Sequence, residues 1–167
     1  HDIALELREA GRAQRGPDGA IRRDAAGKTL MQPGMFRSIK AVGWYIDEYA
    51  RAQISINFTN TKVSPVHAVF DAACREAEKR GLRVTGSELV GLIPREAILA
   101  AGRHYLQRQG RTAAVPESEL VHIAVRSLGL DELRPFVADD KIIEYRVRDP
   151  RLARLRQLSL AGFADQL

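Results

Sequence analysis

Apolar side chains recur along this chain at two periods, and the switches between them mark its elements. Ile3, Ala4, Leu7 and Ala10 recur at helical spacing, with Gly11 as a stop. Residues 13–33 are rich in glycine, charge and small side chains without a period, which predicts a mobile surface loop. Residues 39–46 are rich in β-formers. Residues 51–58 alternate strictly, with Ala52, Ile54, Ile56 and Phe58 to one side and Gln53, Ser55 and Asn57 to the other. The short connection of residues 47–50 predicts an antiparallel hairpin.

Ser64 and Pro65 then open a helix, as N-cap and first helical residue, with Val66, Val69, Phe70, Ala73 and Ala77 as its buried stripe. Asp71 with Arg75 and Glu76 with Arg80 are surface pairs on it, and Gly81 ends it. A third strand is expected over residues 84–92. Pro94 opens a helix through Arg108, with Ala97, Ile98, Ala101 and Tyr105 buried. A further helix spans 116–128 and closes at Gly129; a short strand covers 142–147. Pro150 marks a boundary, and residues 152–167 read as a separate helical stretch. The order α–β–β–α–β predicts an α+β fold: a ferredoxin-like (split βαβ) layer with its first strand absent and helical and strand additions at its C-terminal end.

Composition narrows the class. With 45% hydrophobic and 28% charged residues in 167, the chain is globular. One cysteine, Cys74, excludes an internal disulfide and suits a reducing, cytoplasmic compartment. No apolar run reaches the roughly 20 residues of a membrane span. The first residues mix acid and base along a helical pattern, unlike a signal peptide, and read as cut from something longer. The net charge of +5 and pI of about 9.7 favour an anionic partner. The basic residues are spread out and mostly have acidic neighbours, so a solvated arginine-rich surface is the plainer reading, ahead of an anionic small molecule or nucleic acid.

Candidate chemistry is sparse. The chain has no Gly-rich phosphate loop, and no cysteine pair or His/Glu cluster has metal-ligand spacing. His1, His104 and His122 stand singly. His67, with Asp71 at i+4, reads as half of a structural pair, and Cys74 as a buried inert thiol. The informative surface is the hairpin. If the helices cover Ile54, Ile56 and Phe58 together with Val42, Trp44 and Ile46, the other face carries Gly43, Tyr45, Gln53, Ser55 and Asn57. Such a face can simply meet water. Yet Gln, Ser and Asn are short hydrogen-bonding groups, where plain solvent faces favour Lys, Glu and Thr, and glycine permits close approach of a ligand.

Several stretches, in order and at similar spacing, resemble the glutamate formiminotransferases. They are Lys40-Ala41-Val42-Gly43-Trp44-Tyr45-Ile46-Asp47, Ala52 through Thr59, Thr85-Gly86-Ser87-Glu88-Leu89-Val90-Gly91-Leu92-Ile93-Pro94, Pro65-Val66-His67, residues 127–131, Arg134-Pro135-Phe136 and Ile142-Ile143-Glu144-Tyr145. The resemblance covers residues 1–148 and is to the C-terminal subdomain of the formiminotransferase domain. The segment 13–33 is longer here than in animal members. Residues 158–165 resemble the start of a cyclodeaminase domain, so 149–167 is expected to be a linker and the beginning of that domain.

The resemblance implies an enzyme of histidine breakdown, moving a formimino group from N-formimino-L-glutamate to tetrahydrofolate in a tunnel between two related subdomains. The family's acid/base histidine and main folate segment belong to the N-terminal subdomain, so no catalytic residue is carried over. The expected substrate-binding residues are Tyr45, Gln53, Ser55 and Asn57, with Lys62 as a cation on a basic rim. Tetrahydrofolate is the co-substrate, and no metal is expected. The expected partners are folate, formiminoglutamate, the N-terminal subdomain and further copies in a homo-oligomer, with neither nucleic acid nor membrane. The alternatives are a ferredoxin-like module for RNA or a small anionic ligand, and a small-ligand regulatory domain. RNA binders of that fold stack bases on exposed strand aromatics, and a face of Tyr45 with Gln53, Ser55 and Asn57 is a poor platform for that.

Overall fold

The computed structural model describes residues 1–148. The linker and cyclodeaminase expectation for 149–167 lies outside them. Two compact units divide the chain, one of His1–Val84 and one beginning at Thr85.

In the first unit, helix α1 (Asp2–Leu7) leads through the short strands β1 (Arg12–Ala13) and β2 (Met31–Gln32) to the hairpin β3 (Ile39–Ile46) and β4 (Arg51–Phe58). Helix α2 (Val66–Glu78) follows. α1 stops short of Ala10, because Arg8 turns extended and the carbonyls of Glu6 and Leu7 accept from the amides of Met35 and Phe36 at 2.7 and 3.1 Å. α2 begins after Pro65. Ser64 is buried but does not cap it; its hydroxyl donates to the Arg37 carbonyl instead. Val69, Ala72, Ala73 and Ala77 recur at helical spacing and pack with Ile3, Leu7 and Ile39 into the core, with Ile54, Ile56, Phe58 and Val84 around it. Val66 and Phe70 are half-buried, as is Cys74. Glu76 takes a buried place on α2, paired with Lys79 at 2.6 Å and Arg80 at 2.7 Å.

Residues 13–33 are not a loop. Gln14 donates its amide to the Leu30 carbonyl, Leu30 to Arg22 and Arg22 back to Gln14, each at 2.9 Å. This closed ring of three backbone hydrogen bonds joins three short arms, through the antiparallel pairs Ala13–Met31, Arg15–Ile21 and Arg23–Thr29. The ring members stand eight residues apart. Each of the two outer arms turns on a glycine at φ +79°, Gly19 or Gly27, and carries an arginine folded back onto that glycine's carbonyl, Arg15 at 2.7 Å and Arg23 at 2.9 Å. A backbone satisfied this way has no need of an apolar core.

The second unit is helical. α3 (Arg95–Arg108) and α4 (Glu117–Leu128) bury Ile98, Leu99, Tyr105 and Leu106 on one side and Leu120, Val121, Val125 and Leu128 on the other. They approach closely at Gly102, where a Cβ would lie 2.2 Å from the Leu120 carbonyl oxygen. Two short helices follow, α5 (Ala138–Lys141) and α6 (Ile143–Arg148). Both strands expected in this half are absent. Residues 85–92 run without regular pairing: the Ser87 amide and hydroxyl donate to the carbonyls of Gly129 and Leu128, and Lys141 Nζ to that of Leu89. Residues 142–147 are β-branched enough for a strand, but Ile143 opens a helix. That helix places Glu144 to accept from the Arg95 amide and Tyr145 to donate to Glu117, which also forms a forked pair with Arg95. An α+β composition stands; its main sheet among the described residues has two strands.

Candidate functional site

β3 and β4 pair antiparallel with Ile46 opposite Arg51 and Ile39 opposite Phe58. The connecting turn is one turn of 3₁₀ helix, Asp47–Tyr49, closed by Ala50 in the left-handed region. Directly opposed residues share a face. Ile39, Ala41, Gly43 and Tyr45 therefore lie with Phe58, Ile56, Ile54 and Ala52. This is the covered face: Ile39 and Ala41 are buried, and a Cβ on Gly43 would come within 2.9 Å of the His1 backbone. Tyr45, at its far end, lies beyond the core and is 59% exposed.

The open face carries Lys40, Val42, Trp44 and Ile46 from β3, beside Asn57, Ser55, Gln53 and Arg51 from β4. The sequence-based division of β3 is thereby corrected. Val42 and Trp44, expected under the helices, are 46% and 44% exposed, whereas Gly43 and Tyr45 have moved to the covered side. The expectation for β4 holds, with Ile54, Ile56 and Phe58 against the core and the polar three outward. Of the expected binding residues, the structure brings Gln53, Ser55 and Asn57 onto one face and separates Tyr45 from them. Lys62 is exposed in the turn after β4, where Asn60 Oδ1 accepts from its amide at 3.0 Å.

Sequence reasoning missed Lys40 and Trp44. The signal was present: with four residues between Ile46 and Arg51, even positions of β3 must face odd positions of β4. A shallow depression of about 160 Å³ lies among Lys40, Val42, Ser55 and Asn57. The face thus offers two cations, Lys40 and Arg51, three short hydrogen-bonding side chains and one aromatic plane. None of the four histidines stands on it: His67 is in the first turn of α2, His104 packs edge-on against Tyr105 at 5.0 Å, and His122 is exposed on α4. Among the described residues, no helix is long and apolar enough to cross a membrane, and no three His, Cys, Asp or Glu side chains are grouped to hold a metal. The face can bind and orient; neither strand places a histidine, carboxyl or thiol on it.

The description of one family, the formiminotransferase domain, fits residues 1–148 from end to end. The chain belongs to the formiminotransferase domain family. It is 40% identical over 147 residues to the formimidoyltransferase-cyclodeaminase of Sus scrofa, covering 88% of this chain and 24% of that protein. The enzyme of the same name from Mus musculus is 38% identical over 168 residues, covering 100% of this chain and 28% of its own length. The glutamate formimidoyltransferase of Thermoplasma acidophilum is 31% identical over 72 residues, 43% of this chain and 24% of that one. The chain spans about a quarter of the length of the curated relatives it matches. The formiminotransferase match runs through both strands of the open face and through both units.

Proposed function

We propose that this chain is the C-terminal subdomain of a folate-dependent glutamate formimidoyltransferase. In this reading the open face of β3 and β4 lines the tunnel where a formimino group passes from N-formimino-L-glutamate to tetrahydrofolate, giving glutamate and 5-formiminotetrahydrofolate. The observation that carries it is the formiminotransferase match over residues 1–148. The face supports it chemically. Gln53, Ser55 and Asn57 supply neutral hydrogen bonds, Lys40 and Lys62 suit the carboxylates of both substrates, and Trp44 offers a plane for one aromatic ring of the folate. Transfer from an amidine carbon needs a positioned proton donor and acceptor; the face supplies neither, so both belong to the N-terminal subdomain. Residues 149–167 are a linker and the start of a cyclodeaminase domain, the protein works in the cytoplasm as a homo-oligomer, and the hairpin with α2 is part of a ferredoxin-like layer.

The RNA-binding alternative gains Trp44 but remains weaker, because such platforms stack two or three bases and this face has one aromatic ring. The test is turnover of formiminoglutamate with tetrahydrofolate by this chain and by the parent polypeptide carrying the N-terminal subdomain. We expect turnover from the parent alone, since half a tunnel loses the positioning on which several orders of magnitude in rate depend. Activity of this chain within about tenfold of the parent would overturn the division of labour, and an inactive parent would overturn the assignment.

A further inference from the structure

A second groove of the first unit lies off the open sheet face and shares no residue with it. It lies between α1 and the clover of residues 12–32, encloses about 790 Å³, and is lined by Arg8, Arg12, Arg15, Gln14 and Gln32, with Asp2 as its acid. Each guanidinium is held in place from behind. Arg8 Nε donates to the Gly11 carbonyl at 2.9 Å, Arg15 Nη1 to the Gly19 carbonyl at 2.7 Å, and Arg12 Nη2 to Glu6 Oε1 at 2.6 Å. A guanidinium has five N–H donors, so each keeps several to offer. Arg12 Nε is shielded from solvent and has no acceptor among the described residues. Glu6 offsets Arg12, but among the described residues the two acids of the clover form no ion pair with Arg8 or Arg15. Asp18 accepts from the Ala20 amide, and Asp24 from those of Ala26 and Lys28.

We infer that this groove binds a multiply charged oxyanion, a polyphosphate or a polycarboxylate. Three pre-positioned guanidiniums match the forked geometry of either anion, and two side-chain amides add donors without charge. The closed hydrogen-bond ring through Gln14 keeps Arg12 and Arg15 at a set spacing, so little ordering entropy is lost on binding.

The experiment is calorimetric titration of the full chain with inorganic tripolyphosphate and, separately, with citrate at fixed ionic strength. Saturable binding of either supports the site; tripolyphosphate alone assigns it to phosphates, citrate alone to carboxylates, and both to the shared chemistry. We expect Arg15→Gln to weaken binding about tenfold, the loss of a charge-assisted hydrogen bond. Arg111→Gln makes the same change in net charge in the second unit and should leave affinity unaltered. Should Arg15→Gln disturb the clover, as judged by amide exchange at Gln14, Arg22 and Leu30, Arg8→Gln on α1 replaces it with the same expectation. No saturable binding of either anion, or equal losses in the groove variant and Arg111→Gln, would overturn the inference.

Discussion

Trp44 stands directly across the hairpin from Gln53, on the sheet face that no helix of the first unit covers. A large aromatic side chain left 44% exposed beside a short amide stabilises the fold little and is well placed to meet a planar ligand. The neighbouring Tyr45 lies on the opposite face of the strand, beyond the core.

In the parent enzyme, Trp44→Ala should therefore weaken tetrahydrofolate binding by about tenfold, the usual worth of one ring stacked on an aromatic side chain. Tyr45→Ala should leave it unchanged. Equilibrium binding of tetrahydrofolate, with thermal melts as a fold control, checks both; equal losses would remove the open face from the site.

Glu76 makes the first unit's stability depend on pH. Hydrogen bonds from Lys79, and then Arg80, hold its carboxyl below the ordinary carboxylate range against the opposing effect of burial. The unfolded chain, with a carboxyl near pKa 4.3, takes up this proton before the folded one does. The contribution is therefore complete above about pH 5 and is lost as pH falls through the lower folded value. Scanning calorimetry of wild type and Glu76→Gln from neutral to acid pH should show a gap in melting temperature that narrows on acidification.

The clover should behave as one cooperative piece. Gln14, Arg22 and Leu30 close a single ring, so their amides should exchange with solvent at similar, protected rates. A Cβ at Gly27 would meet no atom within 4 Å, but Gly27→Val must hold φ +79°, a strain of about 1–2 kcal/mol. All three amides should lose protection together in that variant; loss confined to Leu30 would mean that the arms open separately.

Gly102 separates propensity from packing. Alanine is the better helix former by about 1 kcal/mol, yet its methyl would lie 2.2 Å from the Leu120 carbonyl oxygen, where α3 meets α4. We expect Gly102→Ala to destabilise the second unit by about 2 kcal/mol net, the cost of forcing bulk into a packed contact. Urea denaturation followed by circular dichroism measures it, with exposed Gly110 as the wrong comparison, because its positive φ adds strain of its own.

What the sequence alone determined is what neighbouring residues decide. Pro65, Pro94 and Pro116 each sit immediately before a helix, and Gly81 and Gly129 adopt positive φ just past one, because proline's fixed φ and glycine's missing Cβ act within a single turn. The alternation of residues 51–58 likewise placed Ile54, Ile56 and Phe58 inward. The apolar run of residues 39–46 carries no such alternation, so its inward face is set by pairing with β4 across a four-residue turn. Residues 84–92 and 142–147 have strand composition, yet a strand needs a neighbour to take its backbone hydrogen bonds. Other partners took those bonds: the Gly129 carbonyl for the Ser87 amide, and the Ile142 carbonyl for the amides of Tyr145 and Arg146. The clover was the hardest to read, since its order comes from three backbone bonds between residues eight apart and from no apolar side chain that a periodicity could reveal.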